Sequence, residues 1–340
     1  MKKVFFAITL AALIFGLAPA IASATTISPP VIEFDARPGD TIVDVIKLFN
    51  ETAEEVTLTG EVRTFKALNE TGAPSFLPPE ESTDLATWLK LDEATVTLPA
   101  DERKDILFSI NVPENAEPGG HFAGILWTPT GAPALEGSGV GITMKTGTLV
   151  LVRVAGDVNE TGRLASFTAD RASYNYLPVN FSVRFENLGN VHLKPAGVIE
   201  IKNLLGRKVA ALPVNGDLSN VLPESIRKFD ATWQKTEVPL GASEWQREMD
   251  NFAWGKYTAT LILDYGIDGQ QTSASLAFWV FPWRVTLFYL AIAIIIILLI
   301  IIGIRSYNKW VIKKFSQQNN QQNNPPSDLP TDGVDDQKME

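Results

Sequence analysis

Short stretches in which apolar and polar side chains alternate recur between residues 25 and 283. Within 106–111, the apolar residues Ile106, Phe108 and Ile110 share one parity, which places them on one face of a strand. The stretch 179–186 alternates in the same way, and residues such as Pro, Gly and Asn separate one stretch from the next. The pattern predicts an all-β fold with one buried face on each strand.

The predicted strands form two series. The first series consists of 31–34, 41–49, 56–64, 95–98, 106–112, 122–127 and 142–154. The second consists of 164–168, 179–186, 196–201, 208–212, 228–233, 256–263 and 272–280. Seven short strands in about 125 residues are typical of an immunoglobulin-like sandwich, so we predict two tandem immunoglobulin-like β-sandwiches, over 25–155 and 156–283. The segment 82–89 is left open between a helical turn and a strand.

The two series resemble each other. Leu98-Pro99 followed by the basic pair at 103–104 recurs as Leu222-Pro223 followed by the basic pair at 227–228. In each series, the next predicted strand but one begins near a glycine that an aromatic residue follows two positions later, in Gly120-His121-Phe122 and in Gly255-Lys256-Tyr257. The offset of 124 rising to 135 residues indicates two copies of one unit, with the strand after the basic pair shifted in phase by one residue.

The stretch 285–304 contains twenty residues without a charge, an amide or a proline. At 1.5 Å of rise per residue it spans the bilayer core of about 30 Å, and we predict one transmembrane helix over 284–305. One basic residue precedes it and four follow it, so the positive-inside rule places the C-terminus in the cytoplasm. The predicted membrane-interface residues are Trp283, Arg284, Arg305, Lys309, Trp310, Lys313 and Lys314.

The N-terminus has the pattern of a signal peptide. Two lysines precede an apolar run, and Ala22 and Ala24 supply the small residues of a cleavage site, which predicts removal of residues 1–24. The alternative is an uncleaved anchor. With the helix orientation, this predicts a single-pass type I protein of the cytoplasmic membrane with its ectodomain outside. Residues 306–340 are predicted to be a basic juxtamembrane segment followed, after Lys314, by a disordered cytoplasmic tail.

Composition narrows the class of protein. The chain has no cysteine, so an exported ectodomain must be held together by its core without disulfides. Residues 25–155 carry 9 Lys/Arg against 20 Asp/Glu, a balance of −11, whereas residues 156–283 carry 12 against 14, a balance of −2. This distribution excludes the basic footprint of a nucleic-acid binder.

The sequence contains little that suggests catalysis. Its two histidines, His121 and His192, lie far apart and have no cysteine or second histidine nearby, so we predict structural roles, no metal site and no cofactor. Carboxylates are abundant, but no spacing distinguishes one pair as a general acid and base. The sequence predicts a protein that is not an enzyme. A hydrolase with an unrecognised carboxylate site is the remote alternative.

The tryptophans are the remaining candidates for contact with a ligand. Trp127, Trp233 and Trp279 fall inside alternating strands, where core packing is expected. Trp245 and Trp254 fall in a predicted loop, and we predict them to be the exposed pair that contacts a ligand.

The segments 31–40, 48–50, 96–99 and 112–122, together with Trp88, carry a family resemblance. They resemble the N-terminal immunoglobulin-like domain of bacterial WxL-interacting cell-surface proteins, which is itself similar to other exported sandwiches, including pilus-chaperone domains. The order of signal peptide, two sandwiches, helix and basic end also fits that family. The resemblance implies that the first sandwich binds peptidoglycan and that the second binds a partner.

Together these features predict a non-enzymatic cell-envelope protein that is anchored in the lipid bilayer and presents its sandwiches for binding or scaffolding. The ligand is an envelope protein partner or peptidoglycan or another glycan. The acidity of the first sandwich favours a basic protein partner, because anionic wall polymers would be repelled. The alternative is an accessory or sensor subunit that pairs with another membrane protein through its helix.

Overall fold

The computed structural model describes residues 25–130 and 145–322, which form two compact units. The first unit contains the described residues up to Ala172 together with Val179–Trp233 and Lys256–Phe278. The second unit contains Ser173–Pro178, Gln234–Gly255 and the residues from Trp279 onward. The predicted signal peptide with Ala22 and Ala24, and the tail beyond residue 322, lie outside the described residues.

Two β-sheets, here called the first sheet pair, are built from the N-terminal part of the first unit. The smaller sheet has the order β1-β3-β8-β6, and the larger has the order β2-β10-β9-β4-β5, with β7 also paired to β4. The strands are β1 (Thr25–Ser28), β2 (Val31–Ala36), β3 (Thr41–Asn50), β4 (Val56–Leu68), β5 (Ala73–Phe76), β6 (Leu89–Leu91), β7 (Thr95–Leu98), β8 (Arg103–Asn111), β9 (Gly119–Thr130) and β10 (Thr146–Val154). A 3₁₀ turn over Pro79–Glu81 and a single helical turn, α1 (Leu85–Trp88), precede β6.

The core of the first sheet pair is mainly aliphatic. Ile106, Phe108 and Ile110 of β8 are at most 1% exposed and pack with residues of the opposite sheet, including Trp127, whose side chain is fully buried. The alternation predicted for β8 is confirmed. The segment 82–89, for which a helical turn and a strand were both considered, contains both, because α1 ends at Trp88 and β6 begins at the next residue.

A further two sheets, here called the second sheet pair, follow in the chain. The smaller sheet has the order β11-β13-β16 and the larger the order β12-β18-β17-β14-β15. The strands are β11 (Gly162–Ala169), β12 (Ser173–Tyr174), β13 (Val179–Asn187), β14 (Ala196–Asn203), β15 (Lys208–Val214), β16 (Ser225–Trp233), β17 (Gly255–Tyr265) and β18 (Gln270–Val280). The two-residue strand β12 belongs to the second unit, where it pairs in parallel with the last residues of β18.

Aromatic rings fill the core of the second sheet pair. Phe181 of β13 contacts Phe278 of β18 with ring centroids 5.7 Å apart, and Trp233 of β16 contacts Tyr257 of β17 at 5.0 Å. These contacts join the two sheets face to face. Trp233 is buried as predicted, whereas Trp279 is 55% exposed, so its predicted packing in the core is wrong. Phe278 and Val280 point inward, and Trp279 between them must point to the other side of the strand.

The second unit contains two helices. The short helix α2 (Glu244–Asp250) was not predicted, and its N-terminus is capped by the Ser243 hydroxyl, which accepts a hydrogen bond from the Gln246 N–H at 3.2 Å. The long helix α3 (Trp283–Gln322) is apolar enough over 283–316 to cross a membrane. It continues past Lys314, where an unfolded tail was predicted, because adding turns to an existing helix costs far less than starting one.

The fold is therefore all-β, with immunoglobulin-like sandwich sheets and a C-terminal apolar helix, as the alternation and the apolar run predicted.

Candidate functional site: the groove between the two sheet pairs

The two sheet pairs touch through their backbones within the first unit. The Gly120 N–H donates to the Asn190 carbonyl at 2.7 Å, and the Lys228 N–H donates to the Glu70 carbonyl at 2.8 Å. Gly119 has φ +135°, and a Cβ there would lie 2.9 Å from the Asn190 carbonyl oxygen. Only glycine permits this approach, so the start of β9 is shaped to meet the second sheet pair.

Charged side chains add to the junction. Arg184 donates to both carboxylate oxygens of Glu70, from Nε at 2.7 Å and from Nη2. Glu33 accepts from Lys194 Nζ at 2.6 Å and from Asn220 Nδ2 at 2.7 Å. Since each contact links residues more than a hundred positions apart, these pairs connect one sheet pair to the other.

Both carboxyl groups are held ionised. Burial raises the pKa of Glu33, but the hydrogen bonds from Lys194 and Asn220 and the charge of Lys194 outweigh it and lower that pKa below its ordinary value. The hydrogen bonds from Arg184 are the main cause of the lowered pKa of Glu70.

His192 lies in the same junction, but its pKa is shifted downward. Burial lowers its pKa, and this outweighs the attraction of Glu33, whose oxygen lies 3.9 Å from Nε2. The lowered pKa disfavours the imidazolium that an ion pair between His192 and Glu33 would require. The Phe122 ring stands edge-on to the imidazole at 5.9 Å. Nδ1 of His192 is buried and has no hydrogen-bond partner among the described residues.

Beside this polar junction lies a groove of about 480 Å³. Its walls combine aliphatic and aromatic side chains with a few polar groups. Its apolar walls include Val31, Leu149, Leu151 and Leu218, and its polar groups include Glu33 and Lys194. Val31 is 40% exposed and Leu218 is 52% exposed, so apolar side chains remain accessible to solvent at this groove.

Leu218 has an unusual backbone. Its φ is +53°, and the other described residues with positive φ, apart from glycines, are Asn, Asp and one Glu. Leucine is disfavoured in this conformation because its Cβ crowds the backbone. Asn215 holds the loop in place, since its Nδ2 donates to the Pro195 and Ser219 carbonyls at 2.7 and 2.9 Å and its Oδ1 accepts from the Ser219 N–H at 2.9 Å.

A second cavity of about 430 Å³ surrounds His121 on the first sheet pair. His121 Nδ1 lies 2.6 Å from Asp84 Oδ1, Nε2 lies 2.8 Å from the Glu117 carbonyl oxygen, and the Trp88 ring lies 4.6 Å from the imidazole. Burial lowers the pKa of His121, but the hydrogen bonds to Asp84 and Glu117 outweigh it and raise the pKa above 6.5. Because both partners are acceptors, both ring nitrogens donate. The raised pKa favours the imidazolium form of His121, in which neither ring nitrogen has the lone pair of a general base.

The predicted site residues lie elsewhere. Trp245 and Trp254 belong to the second unit and are 39% and 61% exposed, in line with their predicted exposure. Their contact with a ligand remains a prediction. The predicted interface residues Trp283, Arg284, Arg305, Lys309, Trp310, Lys313 and Lys314 all belong to α3.

The arrangement of the groove was not predicted. Leu218 and Asn215 lie between two predicted strands and have no motif around them. Their only sequence signal is an aliphatic residue inside the turn-rich stretch 215–219, Asn-Gly-Asp-Leu-Ser. Among the described residues, no group of three or more His, Cys, Asp or Glu side chains is placed to hold a metal ion.

No protein-family model and no curated protein matches the chain. Solved structures do resemble it. The class 5 fimbriae chaperone CfaA is 12% identical with a TM-score of 0.36, over 76% of this chain and 100% of that chain. The Salmonella enterica SafA pilin in complex with the SafB chaperone is 10% identical with a TM-score of 0.34, over 76% of this chain and 97% of that chain. The Pseudomonas aeruginosa CupB2 chaperone is 9% identical with a TM-score of 0.34, over 74% of this chain and 98% of that chain. The function proposed below rests on the geometry of the groove and on the charge of the first sheet pair.

The resemblance to WxL-interacting proteins is wrong, because no family model matches and the structures named above are chaperones and a chaperone complex. The segments that carried it supply turns and strand ends. Gly39, with φ +87°, and Gly119 are needed for backbone conformation, and Trp88 packs on His121. Glycines at turns and packed tryptophans are features of a fold, so these residues do not by themselves indicate one family.

Proposed function

We propose that the chain is a non-enzymatic, membrane-anchored protein of the cell envelope that binds a protein partner in the groove between its two sheet pairs, each of which is an immunoglobulin-like domain. The observation that carries this proposal is Leu218, a half-exposed leucine at φ +53° on the groove. A strained, solvent-exposed apolar side chain contributes little to folding, and strain of this kind concentrates where a ligand is bound.

The groove has the chemistry of a protein-binding site. Val31 and Leu218 offer exposed apolar surface, and Glu33 and Lys194 are fixed beside them by a 2.6 Å ion pair. A volume of about 480 Å³ has room for one or two apolar side chains of a partner. The ion pair supplies oriented polar groups at the edge, which is the usual anatomy of an interface: an apolar centre with a polar rim.

The junction supports the proposal by making the groove rigid. Backbone hydrogen bonds at Gly120 and Lys228 and the Arg184 and Glu70 pair join the two walls. A preformed groove spends less free energy on ordering when its partner binds.

Charge favours a basic partner. Residues 25–155 carry a balance of −11, and ion pairs such as that of Glu33 neutralise only part of it. Opposite charge would steer a basic surface onto the first sheet pair and make the association sensitive to salt. A partner with positive charge around an apolar side chain would match both the surface and the groove.

The helix α3 is proposed to anchor the chain, with the sheet pairs outside the cytoplasm and residues after 305 inside. Its apolar span and the four basic residues that follow the span support this orientation. An epitope tag fused after Glu340 should resist protease added to intact cells whose wall has been removed, while the sheet pairs are digested. Cleavage of the tag under those conditions would reverse the orientation.

The partner can be identified by photo-crosslinking in cells. A benzophenone amino acid at position 218 should form an adduct with one envelope protein, and the same protein should be captured from position 31. The matched control is position 205, where a leucine 78% exposed lies between β14 and β15 and does not line the groove. Equal capture of that protein from position 205 would contradict a site in the groove.

Binding and folding can then be separated with Leu218→Asn. Asparagine tolerates positive φ, so the free energy of unfolding should stay the same or rise. The affinity for the purified partner should fall by about tenfold or more, since a buried apolar anchor is lost. Leu205→Asn should leave the affinity unchanged. A partner that binds Leu218→Asn as tightly as the wild type, or binds equally at about 50 and about 500 mM salt, would overturn the proposal.

A further inference from the structure

A second exposed apolar surface lies in the second unit, on and after α2. Trp245, Met249 and Phe252 are each about two-fifths exposed, at 39%, 41% and 39%. Their spacing of four and then three residues places them along one stripe of the helix and its extension. Trp254, 61% exposed, follows two residues later.

The other side of α2 is bound to the start of α3. The Glu248 side chain is fully buried, and its Oε2 accepts a hydrogen bond from the Val285 N–H at 3.1 Å. Its Oε1 lies 3.0 Å from Arg284 Nη1. The N–H groups of a helix start have no partner within the helix, so this carboxylate satisfies one of them and interacts favourably with the helix dipole.

These contacts determine the level of α2 along α3. The Trp245 ring packs edge-on against Phe288, with ring centroids 5.1 Å apart. Phe288 is the fourth residue of the uncharged apolar run 285–304. Trp245 therefore lies beside the first turn of the apolar run, whereas Arg284, immediately before the run, binds Glu244 and Glu248.

We propose that α2 and the residues up to Trp254 lie in the outer interface of the lipid bilayer, with Trp245, Met249 and Phe252 inserted among the headgroups and the first acyl carbons. This inference rests on the proposed membrane anchoring by α3. A stripe of exposed Trp, Phe and Met beside the end of a membrane span suits the boundary between headgroups and acyl chains.

A lipid surface explains this stripe better than a protein partner does. The position of Trp245 is set by Phe288, and Phe288 would itself be in lipid if α3 spans the membrane. Any side chain held at that level meets lipid before it can meet a soluble protein. The Glu248 contacts would then fix α2 to the anchor, so that the chain enters the membrane at two rigidly joined points.

The absence of cysteine allows a direct test on the full chain, because single cysteines can be labelled with a nitroxide. Four variants are compared in vesicles of phosphatidylethanolamine and phosphatidylglycerol: Met249→Cys, Asp250→Cys, Ser273→Cys and Ile295→Cys. Asp250 is the matched control, since it is exposed on the same helix but about 100° away from Met249. Ser273 is an exposed control on β18.

Accessibility to oxygen and to a water-soluble nickel chelate reports depth in the membrane. The label at 295 should show the highest ratio of oxygen to nickel accessibility, and the label at 249 should show a ratio several-fold above those at 250 and 273. If 249 and 250 are equally accessible to nickel while 295 is protected, the interfacial position of α2 is refuted and the anchoring stands. If 295 is also accessible to nickel, the anchoring itself fails.

Discussion

In the first sheet pair, β1 pairs with β3 and β3 with β8. In the second, β11 pairs with β13 and β13 with β16. The larger sheets correspond in the same way: β2 runs parallel to β10 at the edge of one, and β12 runs parallel to β18 at the edge of the other. The repeat suggested by the two Leu-Pro and basic-pair segments thus reappears as one pairing scheme used twice.

Each sheet pair has a buried asparagine at the end of a corresponding strand. Asn50 ends β3, and the two hydrogens on its Nδ2 are shared among the carbonyls of Glu54, Leu98 and Pro99, which lie 2.8, 3.1 and 2.9 Å from the nitrogen. Asn187 ends β13, and its Nδ2 donates to the carbonyls of Val191 and Val221 at 2.7 and 2.8 Å. In both copies the amide joins the end of one strand to the segment that leads into the strand paired with it.

The cores differ although the scheme is shared. The first core is mostly Ile, Leu and Val, while the second is built around Phe181, Phe185, Trp233, Tyr257 and Phe278. The net charge differs as well, at −11 for residues 25–155 and −2 for residues 156–283. The same strand order is therefore compatible with different core side chains, as long as each buried face is filled. At the strand ends, in contrast, both sheet pairs use a buried asparagine amide.

The largest expected effect tests the aromatic core. Phe185 is fully buried and contacts the Tyr265 ring at 5.0 Å, so Phe185→Ala should lower the free energy of unfolding by about 3 to 5 kcal/mol in denaturant titration. Arg184→Ala, on the opposite face of β13, should cost clearly less. Equal costs would mean that the faces of β13 are not distinguished by burial.

The shared amide gives the next effect. Asn50→Ala and Asn187→Ala should each lower the free energy of unfolding by about 1 to 3 kcal/mol for each buried carbonyl left without a donor. Asn203→Ala is the control, because the Asn203 side chain only accepts hydrogen bonds from N–H groups of an exposed turn. If Asn203→Ala lowers the free energy of unfolding as much as Asn50→Ala and Asn187→Ala do, the buried amides do not stabilise the strand ends as described.

A smaller effect comes from the two histidines, whose pKa values move in opposite directions. The pKa of His121 is raised above 6.5, so its stabilising charge is fully present below about pH 6.5 and is lost as the pH rises through the raised value. The pKa of His192 is lowered, so the folded state favours the neutral ring and loses stability as the pH falls below about 6.5.

Melting temperatures of two variants measure this difference. His121→Gln should be destabilised relative to the wild type by a few degrees more at about pH 5.5 than at about pH 8.5. His192→Gln should compare better with the wild type at about pH 5.5 than at about pH 8.5. Shifts of the same sign in both variants would contradict the assignment of one charged and one neutral imidazole.

The smallest expected effect is none. The sheet pairs contain no cysteine, and no metal cluster occurs in the described residues, so reductant and chelator should leave the melting temperature of the ectodomain unchanged. A midpoint that falls by more than a few degrees with chelator would reveal a cation site, with the carboxylates of the first sheet pair as the first place to look.

The features that could be predicted from the amino-acid sequence are those that a local pattern encodes. Alternation in β8 and β13 reports which face is buried, and the uncharged run 285–304 can only be a helix that lies in lipid or is buried. Long strands were therefore predicted closely. The short strands β1, β5 and β12 were not predicted, because two to four residues are too few for alternation alone to reveal a strand.

Contacts between residues that are distant in the sequence became visible only in the folded chain. Trp279 lies between two other apolar residues, so its parity was ambiguous until Phe278 and Val280 took the inward positions. Leu218 forms part of a groove because the chain brings residues from β2 and β10 to the same place. Glu248 became the cap of α3 from 37 positions away. No local pattern can encode such contacts, since their free energy comes from residues that are neighbours only after folding.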